Sequence, residues 1–175
     1  VSTTALPLVS ATGVLAGYRG SNTDINDRKL AEEALRENER SKSVLLKNLP
    51  GMAYRCRYDK DWTMEFISDG CHELTGYKAC DLLHNTVLTF NDIILPKYRR
   101  MLWDTWTSSV ERHRPVQVEY EIRTADGRTK WVWEQGLVVF SQTGEVEALE
   151  GLILDITGRK QAEAALQVAK EAAES

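Results

Sequence analysis

The plainest pattern along the chain is a strict alternation. Val116, Val118, Tyr120 and Ile122 take every second position, and Gln117, Glu119, Glu121 and Arg123 fill the gaps. A strand over 116–125 therefore has one apolar and one polar face. Asp126-Gly127 is a turn signal, and further strands follow over 128–140 and 145–156, separated by the turn Gln142-Thr143-Gly144. In these two strands both faces are partly apolar. Trp131, Trp133, Leu137 and Val139 stand against Val132, Val138 and Phe140, and Leu152 and Leu154 against Leu149 and Ile153. A sheet with helices on one face is ordinarily polar on its back, so these strands need cover on both faces, from the helix that leads into the sheet or from a partner chain. Upstream, Pro96 opens a helix over 96–112, with Tyr98, Leu102, Trp106 and Val110 on one face and Trp103 at its edge. Before it, Leu49-Pro50-Gly51 is a break, 52–58 a strand, Asp59-Lys60-Asp61 a turn, Trp62–Ile67 a second strand, and 68–94 a run of short helical turns. The order β-β-α-α-α-β-β-β predicts an α+β fold with an antiparallel sheet and helices on one side.

The flanks carry a different period. Residues 27–47, capped by Asn26 or Asp27, hold Ala31, Leu35, Asn38, Lys42, Leu45 and Leu49 at 3-4 spacing, and the terminal segment holds Ala162, Leu166, Ala169 and Ala173 likewise. This spacing predicts a coiled-coil seam with weak core residues. The two flanks are also related to each other. The stretch Thr23–Leu35, containing Asp24-Ile25-Asn26 and Arg28-Lys29, recurs as Leu154–Leu166, containing Asp155-Ile156-Thr157 and Arg159-Lys160. Each copy follows a β-type run and precedes a charged helix, which marks a repeated module end. Residues 1–24 then read as a hairpin, with strands Leu6–Val9 and Val14–Thr23 around the turn Ser10–Gly13. A lone hairpin is marginal and needs a surface to pack on. The expected organisation is a preceding module's final hairpin over 1–25, a helical linker over 26–48, a complete module over 49–157, and an exit helix over 158–175.

Composition narrows the function classes. An apolar content of 42% over 175 residues supports a core. A net charge of −4 argues against a nucleic-acid partner. No apolar run approaches a membrane span, and there is no signal-peptide pattern, so a cytoplasmic location is expected. The start at Val1 suggests an excerpt from a longer chain. Cys56, Cys71 and Cys80 form no CxxC and no even framework, which fits reduced thiols.

At this point the residues resemble the PAS domain family with its trailing PAC segment. Phe66-Ile67-Ser68 followed by Glu73-Leu74-Thr75-Gly76-Tyr77 is similar to the family's strand-to-helix segment. Glu119–Arg123, Asp126-Gly127-Arg128 and Trp131-Val132 are similar to its central hairpin, and Asp155-Ile156-Thr157 with Arg159-Lys160 to its terminal signature. Residues 7–25 resemble the end of a second such domain. The segment Ile93–Tyr98 keeps only Pro96 of the His-Pro-Asp-Asp run frequent in the family, and Asn26 stands where the terminal signature has Thr. The resemblance implies a five-stranded antiparallel sheet with helices on one face, flanked by signalling helices. It also implies a sensory or relay role upstream of a histidine kinase or diguanylate cyclase; the scattered carboxylates Asp69, Glu73, Asp81 and Asp92, with no nucleophile–base constellation, speak against enzyme activity. The signal-transfer residues it implies are Asp155, Ile156, Thr157 and Arg159. Thr157 is expected to cap the exit helix through its hydroxyl, and Asp155 to accept from an Arg or a backbone N–H.

Fold order and alternation suggest a cavity between helices and sheet for a small apolar or aromatic ligand, lined by Phe66, Cys71, Leu74, Tyr77, Leu88, Trp106, Tyr120 and Leu152. No Asn-Cys-Arg-Phe-Leu-Gln-like segment surrounds any cysteine, which speaks against flavin photochemistry. His72, His84 and His113 lie in contexts unsuited to a haem ligand. His72-Glu73 fails as a zinc helix because Gly76 stands at the second ligand position. The cofactor stays unnamed. Homodimerisation through the helices and outer sheet face is expected. The alternatives are a ligand-free dimerisation and relay module, or a small α+β-barrel enzyme, which would need a buried Asp or His with a perturbed pKa.

Overall fold

A computed structural model of the chain describes residues 2–23, 26–47 and 50–173. The chain divides into two compact units, residues 1–44 and 45–175.

In the first unit, β1 (Ser2–Val9) and β2 (Leu15–Thr23) form an antiparallel hairpin. Gly13, with φ of 77°, closes the turn and donates its N–H to Ser10 O. β1 begins four residues before the expected Leu6, because Ser2 through Ala5 find ladder partners in Gly20–Thr23. Leu6, Leu8, Val9, Leu15 and Tyr18 are exposed. The helix α1 (Asn26–Lys47) is polar almost all round, with an Arg28–Glu32 ion pair one turn apart. Its seam positions Ala31, Leu35 and Asn38 are exposed. Asp24, Ile25 and Leu49, and the side chains of Lys42 and Leu45, lie outside the described residues.

The second unit contains β3 (Gly51–Cys56), β4 (Met64–Ile67), α2 (Cys71–Thr75), α3 (Ala79–Leu82), α4 (Phe90–Ile93), α5 (Pro96–Arg112), β5 (Val116–Arg123), β6 (Thr129–Phe140), β7 (Val146–Asp155) and α6 (Thr157–Ala173). The strands form one antiparallel sheet in the order β4-β3-β7-β6-β5. Its inner face is set by register. Met52, Ile153, Glu134 and Val118 lie in one row, and Tyr54, Gly151, Gly136 and Val116 in the next. The core gathers between this face and α2–α5.

Two departures from the sequence pattern shape that core. Trp62 is not in a strand. Its backbone is left-handed (φ 51°), and its N–H bonds to Asp59 O in a tight turn, which drives the indole inward. Its ring meets those of Trp103 and Trp106 at centroid distances of 5.5 and 6.5 Å. On α5 the buried face runs through Leu102, Trp106 and Ser109, while Tyr98 and Val110 are only half-buried. Ser109 is tolerated there because its hydroxyl donates to Arg114 O.

The opposed glycines Gly136 and Gly151 seat two large side chains on the sheet. A Cβ on Gly136 would lie 2.6 Å from the Trp106 ring, and one on Gly151 would lie 2.9 Å from Tyr54 Oη. Gly136→Ala is therefore expected to cost about 1–3 kcal/mol by overpacking. Urea unfolding followed by tryptophan fluorescence checks this, and a loss within error of zero would mean that the Trp106 ring is free to shift.

Candidate functional site

Two features of the second unit stand out, a buried polar cluster and the junction between sheet and exit helix.

The cluster lies at a cavity of about 10 Å³ lined by Tyr54, Cys56, Trp62, Met64, Phe90, Ile94, Leu102, Tyr120, Glu134 and Ile153. Every lining residue is buried. β6 places Glu134 here because it shares the inward parity of Val132 and Gly136. The Tyr54 hydroxyl donates to Glu134 Oε1. The Tyr120 hydroxyl lies near enough to feel the same carboxylate, yet it meets no partner with hydrogen-bond geometry. Burial raises the Glu134 carboxyl above its ordinary range, and the Tyr54 hydroxyl that donates to it, with the nearby Tyr120 O–H and Trp106 N–H, offsets this only in part. Burial together with the Glu134 charge raises both phenols well above theirs. Burial likewise pushes up the thiols of Cys56 and Cys71, so neither is a ready nucleophile.

Of the eight residues expected to line the cavity between helices and sheet, Tyr120 alone lines this one, while Leu74 lines a separate space beside Gly51 and Asp155. Cys71, Leu74 and Trp106 are buried in the same core outside the lining, and Tyr77 and Leu88 pack at its margin. Trp106 is the nearest miss, since it lies against Gly136 and among the donors acting on Glu134. Phe66 and Leu152 are on the other face of the sheet. Phe66 pairs with Arg55 and is 48% exposed, and Leu152 pairs with Ala53 and Gln135. A register shift at Arg55/Cys56 puts Met64 and Ile67, rather than Phe66, on the inside. Sequence reasoning missed Glu134, the one charged residue of the lining. Its signal was present in the alternation of 132, 134 and 136.

The junction holds the start of α6 against β6. Trp131 N–H donates to Thr157 Oγ1 (3.0 Å), and Ile156 N–H donates to Trp131 O (2.9 Å). Asp155 Oδ1 accepts from Thr157 N–H (2.9 Å), and its Oδ2 pairs with Lys130 Nζ (3.1 Å). Burial works to raise the Asp155 carboxyl, but Thr157 and Lys130 prevail and hold it below its usual range. Thr157 therefore does not cap α6 through its hydroxyl. The hydroxyl is spent on the Trp131 backbone, and Asp155 satisfies the Thr157 N–H instead. The cation on Asp155 is Lys130, not an arginine. Arg159 and Lys160 both pair with Glu119 of β5, and Lys160 Nζ also stands 5.0 Å from the Trp131 ring centre.

Among the described residues no helix is long and apolar enough to cross a membrane. The chain is 28% identical over 170 residues to the virulence sensor protein BvgS of Bordetella pertussis, covering 97% of this chain and 14% of that protein. It is 30% identical over 108 residues to the methyl sulfide methyltransferase-associated sensor of Methanosarcina acetivorans, covering 61% of this chain and 11% of the sensor. The chain thus spans only a small part of the length of either relative. The crystal structure of a sensory box histidine kinase/response regulator from Burkholderia thailandensis has the same fold, with a TM-score of 0.60 at 24% identity over 75% of this chain and 95% of that one. The family described as PAS fold matches residues 64–153, just over half of the chain. That match covers β4, the helices and β5 through most of β7, including Tyr120 and Glu134, and by it the chain belongs to the PAS fold family.

Proposed function

We propose that residues 49–157 form a sensory and signal-relay module of a multidomain signal-transduction protein, of the histidine kinase or diguanylate cyclase type. In this reading residues 1–25 are the tail of a preceding module, 26–48 a helical linker and 158–175 the exit helix. A change at the Glu134 cluster leaves through Asp155, Ile156, Thr157 and Arg159 into α6. The observation that carries the reading is that one strand bears both ends of the path. β6 holds Glu134 in the core and, three residues earlier, Trp131, to which the first turn of α6 is bonded. Thr157 and Asp155 are bonded to each other as well, so a small slide of β6 biases the helix.

The module acts without catalysis in this reading. Glu134 is bonded to a tyrosine in a space no larger than one water, which leaves no room for a substrate. A ligand-free dimerisation and relay module is the second reading. The exposed Phe66 and Leu137 on the outer sheet face, beside half-buried Trp133, Leu152 and Leu154, favour a homodimer through that face and the helices.

Asp155→Ala removes the Lys130 pair and the Thr157 N–H acceptor while leaving the core intact. In a reporter assay of the full-length protein it is expected to cut the stimulated response about tenfold, the effect of losing ~1–2 kcal/mol of coupling. Circular dichroism should show the module still folded. A folded variant with a parental response would overturn this reading.

A further inference from the structure

We propose that the free edge of β5 and the groove beside it are a docking site for an extended acidic peptide of a partner protein. The peptide adds a strand at Gln117 and Glu119 and sets a carboxylate on Arg112 and Arg114. This deepens the reading above by naming a partner for the relay, and it rests on that reading only for what docking would signal.

Four observations converge. The first is the edge. β5 ends the sheet, with β6 on one side only. On its other side the C-terminal part is covered, because Ile94 bridges to Ile122 and Leu95 N–H donates to Glu121 O. Backbone direction alternates along a strand, so Gln117 and Glu119 turn their N–H and C=O the same way as Glu121. Among the described residues no backbone group bonds to them on that side. Such an edge is a template for a further strand. The second is space. A groove of about 640 Å³ runs between α5 and the start of β5, with Met101, Thr105 and Ser108 on one wall and Val116 and Gln117 on the other. That volume is in the range of ligand clefts, and the groove shares no lining residue with the Glu134 cavity. The third is charge. Arg112 and Arg114 line the groove, and among the described residues neither has a carboxylate partner. The one carboxylate of the lining, Asp104, lies 3.7 Å from Arg100 on the same helix. A chain of net charge −4 thus leaves two arginines uncommitted beside an open edge. A guanidinium binds a carboxylate through two parallel bonds, which selects an acidic side chain over a neutral one. The fourth is order. The loop that carries Arg114 is tied back to α5, since Arg114 N–H donates to Ser109 O and the Ser109 hydroxyl donates to Arg114 O. A site held in place beforehand loses less freedom on binding. Docking at this edge also reaches the exit helix. The Glu119 side chain pairs with Arg159 and Lys160 in the first turn of α6. A strand bonded to the Glu119 backbone therefore bears on the residue that anchors that turn.

The test is a selection of random octapeptides, displayed on phage, against the immobilised whole chain. The double variant Arg112→Glu/Arg114→Glu is the counter-target. Both arginines are exposed, so the variant should fold as the parent does, which circular dichroism checks. The expected binders carry Asp or Glu at one end and alternating β-branched residues beyond it. A synthetic copy of one binder, followed by fluorescence anisotropy at low salt, should bind saturably. The double variant should weaken that binding at least tenfold. N-methylation of alternate amides in the peptide should do the same, since it removes the strand bonds and leaves the protein untouched. Binders without acidic residues, or equal binding to the double variant, would overturn the proposal. So would full binding of the N-methylated peptide, or its parent's displacement by inorganic phosphate at equal concentration, which would show an anion site only. Sedimentation of the parent chain tests the rival occupant, a second copy. Dimerisation that is lost in the double variant would assign the groove to self-association and overturn the proposal too. Binding is read on the chain alone, and output in the full-length reporter assay. A peptide that binds without changing output defeats the relay reading and leaves the site standing. A selection that yields no binder defeats the site and leaves the relay reading standing.

Discussion

Trp106→Ala is expected to destabilise the second unit by about 3–5 kcal/mol, the range for truncating a fully buried indole. The side chain is 2% exposed and stands between Trp62 and the inner face of the sheet. What raises the cost is the surface opposite. The position facing the ring is Gly136, which has no side chain to move into the space. The hole would stay open, and the cost rises with the cavity left behind. Trp103 makes the contrast. It is half-buried and stacks on Tyr58 at 5.1 Å, with the planes 3° apart. Trp103→Phe keeps an aromatic ring there and should cost under about 1.5 kcal/mol. Denaturant unfolding with constant m-values compares the two. A Trp106→Ala loss as small as that of Trp103→Phe would show that the helices close over the gap.

The second large effect depends on pH. Burial holds Glu134 above its ordinary range. Below about pH 4.3, the ordinary Glu value, the group is protonated in both folded and unfolded chains. As pH rises past that value the unfolded chain releases its proton first, so the native state binds more protons and stability falls with pH. The fall ends once pH has passed the raised folded-state value. Glu134→Gln abolishes this contribution while keeping an acceptor for Tyr54. The gap in stability between Glu134→Gln and the parent should therefore move in favour of the variant as pH rises from 4 to 8. Other carboxylates cancel in that difference. Tyr54→Phe should behave oppositely. Its loss removes a bond to an ionised acceptor at high pH, costing about 1.5–3 kcal/mol, and a bond to a neutral one at low pH, costing about 1 kcal/mol. Urea denaturation at several pH values checks both. Differences that stay flat with pH would mean that Glu134 does not titrate in the interior.

How legible these features were depended on whether one physical rule acted alone. Pro96–Arg112 was read at its full length because proline at the first position and an apolar face at helical spacing are local signals. In β5 the faces were unambiguous, since Gln117, Glu119, Glu121 and Arg123 cannot share a core with Val116 and Tyr120. In β7, by contrast, Leu149, Leu152, Ile153 and Leu154 are apolar at both parities, so alternation could not say that Leu152 faces outward. Only pairing to Ala53 and Gln135 settles it. Phe66 was misplaced because a register irregularity beside it changes the parity, and Trp62 because a left-handed backbone leaves no composition signal at a tryptophan. Glu134 was hidden by habit of chemistry. A carboxylate beside Gln135, just after Trp131 and Trp133, looks solvated until Tyr54, 80 residues away in sequence, is seen to donate to it.

The bonding of Thr157 to Trp131 also has a mechanical meaning. Beyond it, α6 runs 17 residues with no buried side chain, a rod roughly 25 Å long at 1.5 Å per residue. On the relay reading it is a lever held at its first turn by β6 and β5. A tilt of ~10° about Thr157 carries the far end through roughly 4 Å on that geometry, and it has to be absorbed by the hydrogen bonds at Trp131 and by the pairs of Arg159 and Lys160 with Glu119. A displacement inside the sheet too small to break any strand pairing is thereby enlarged, at the helix tip, to about the width of a side chain.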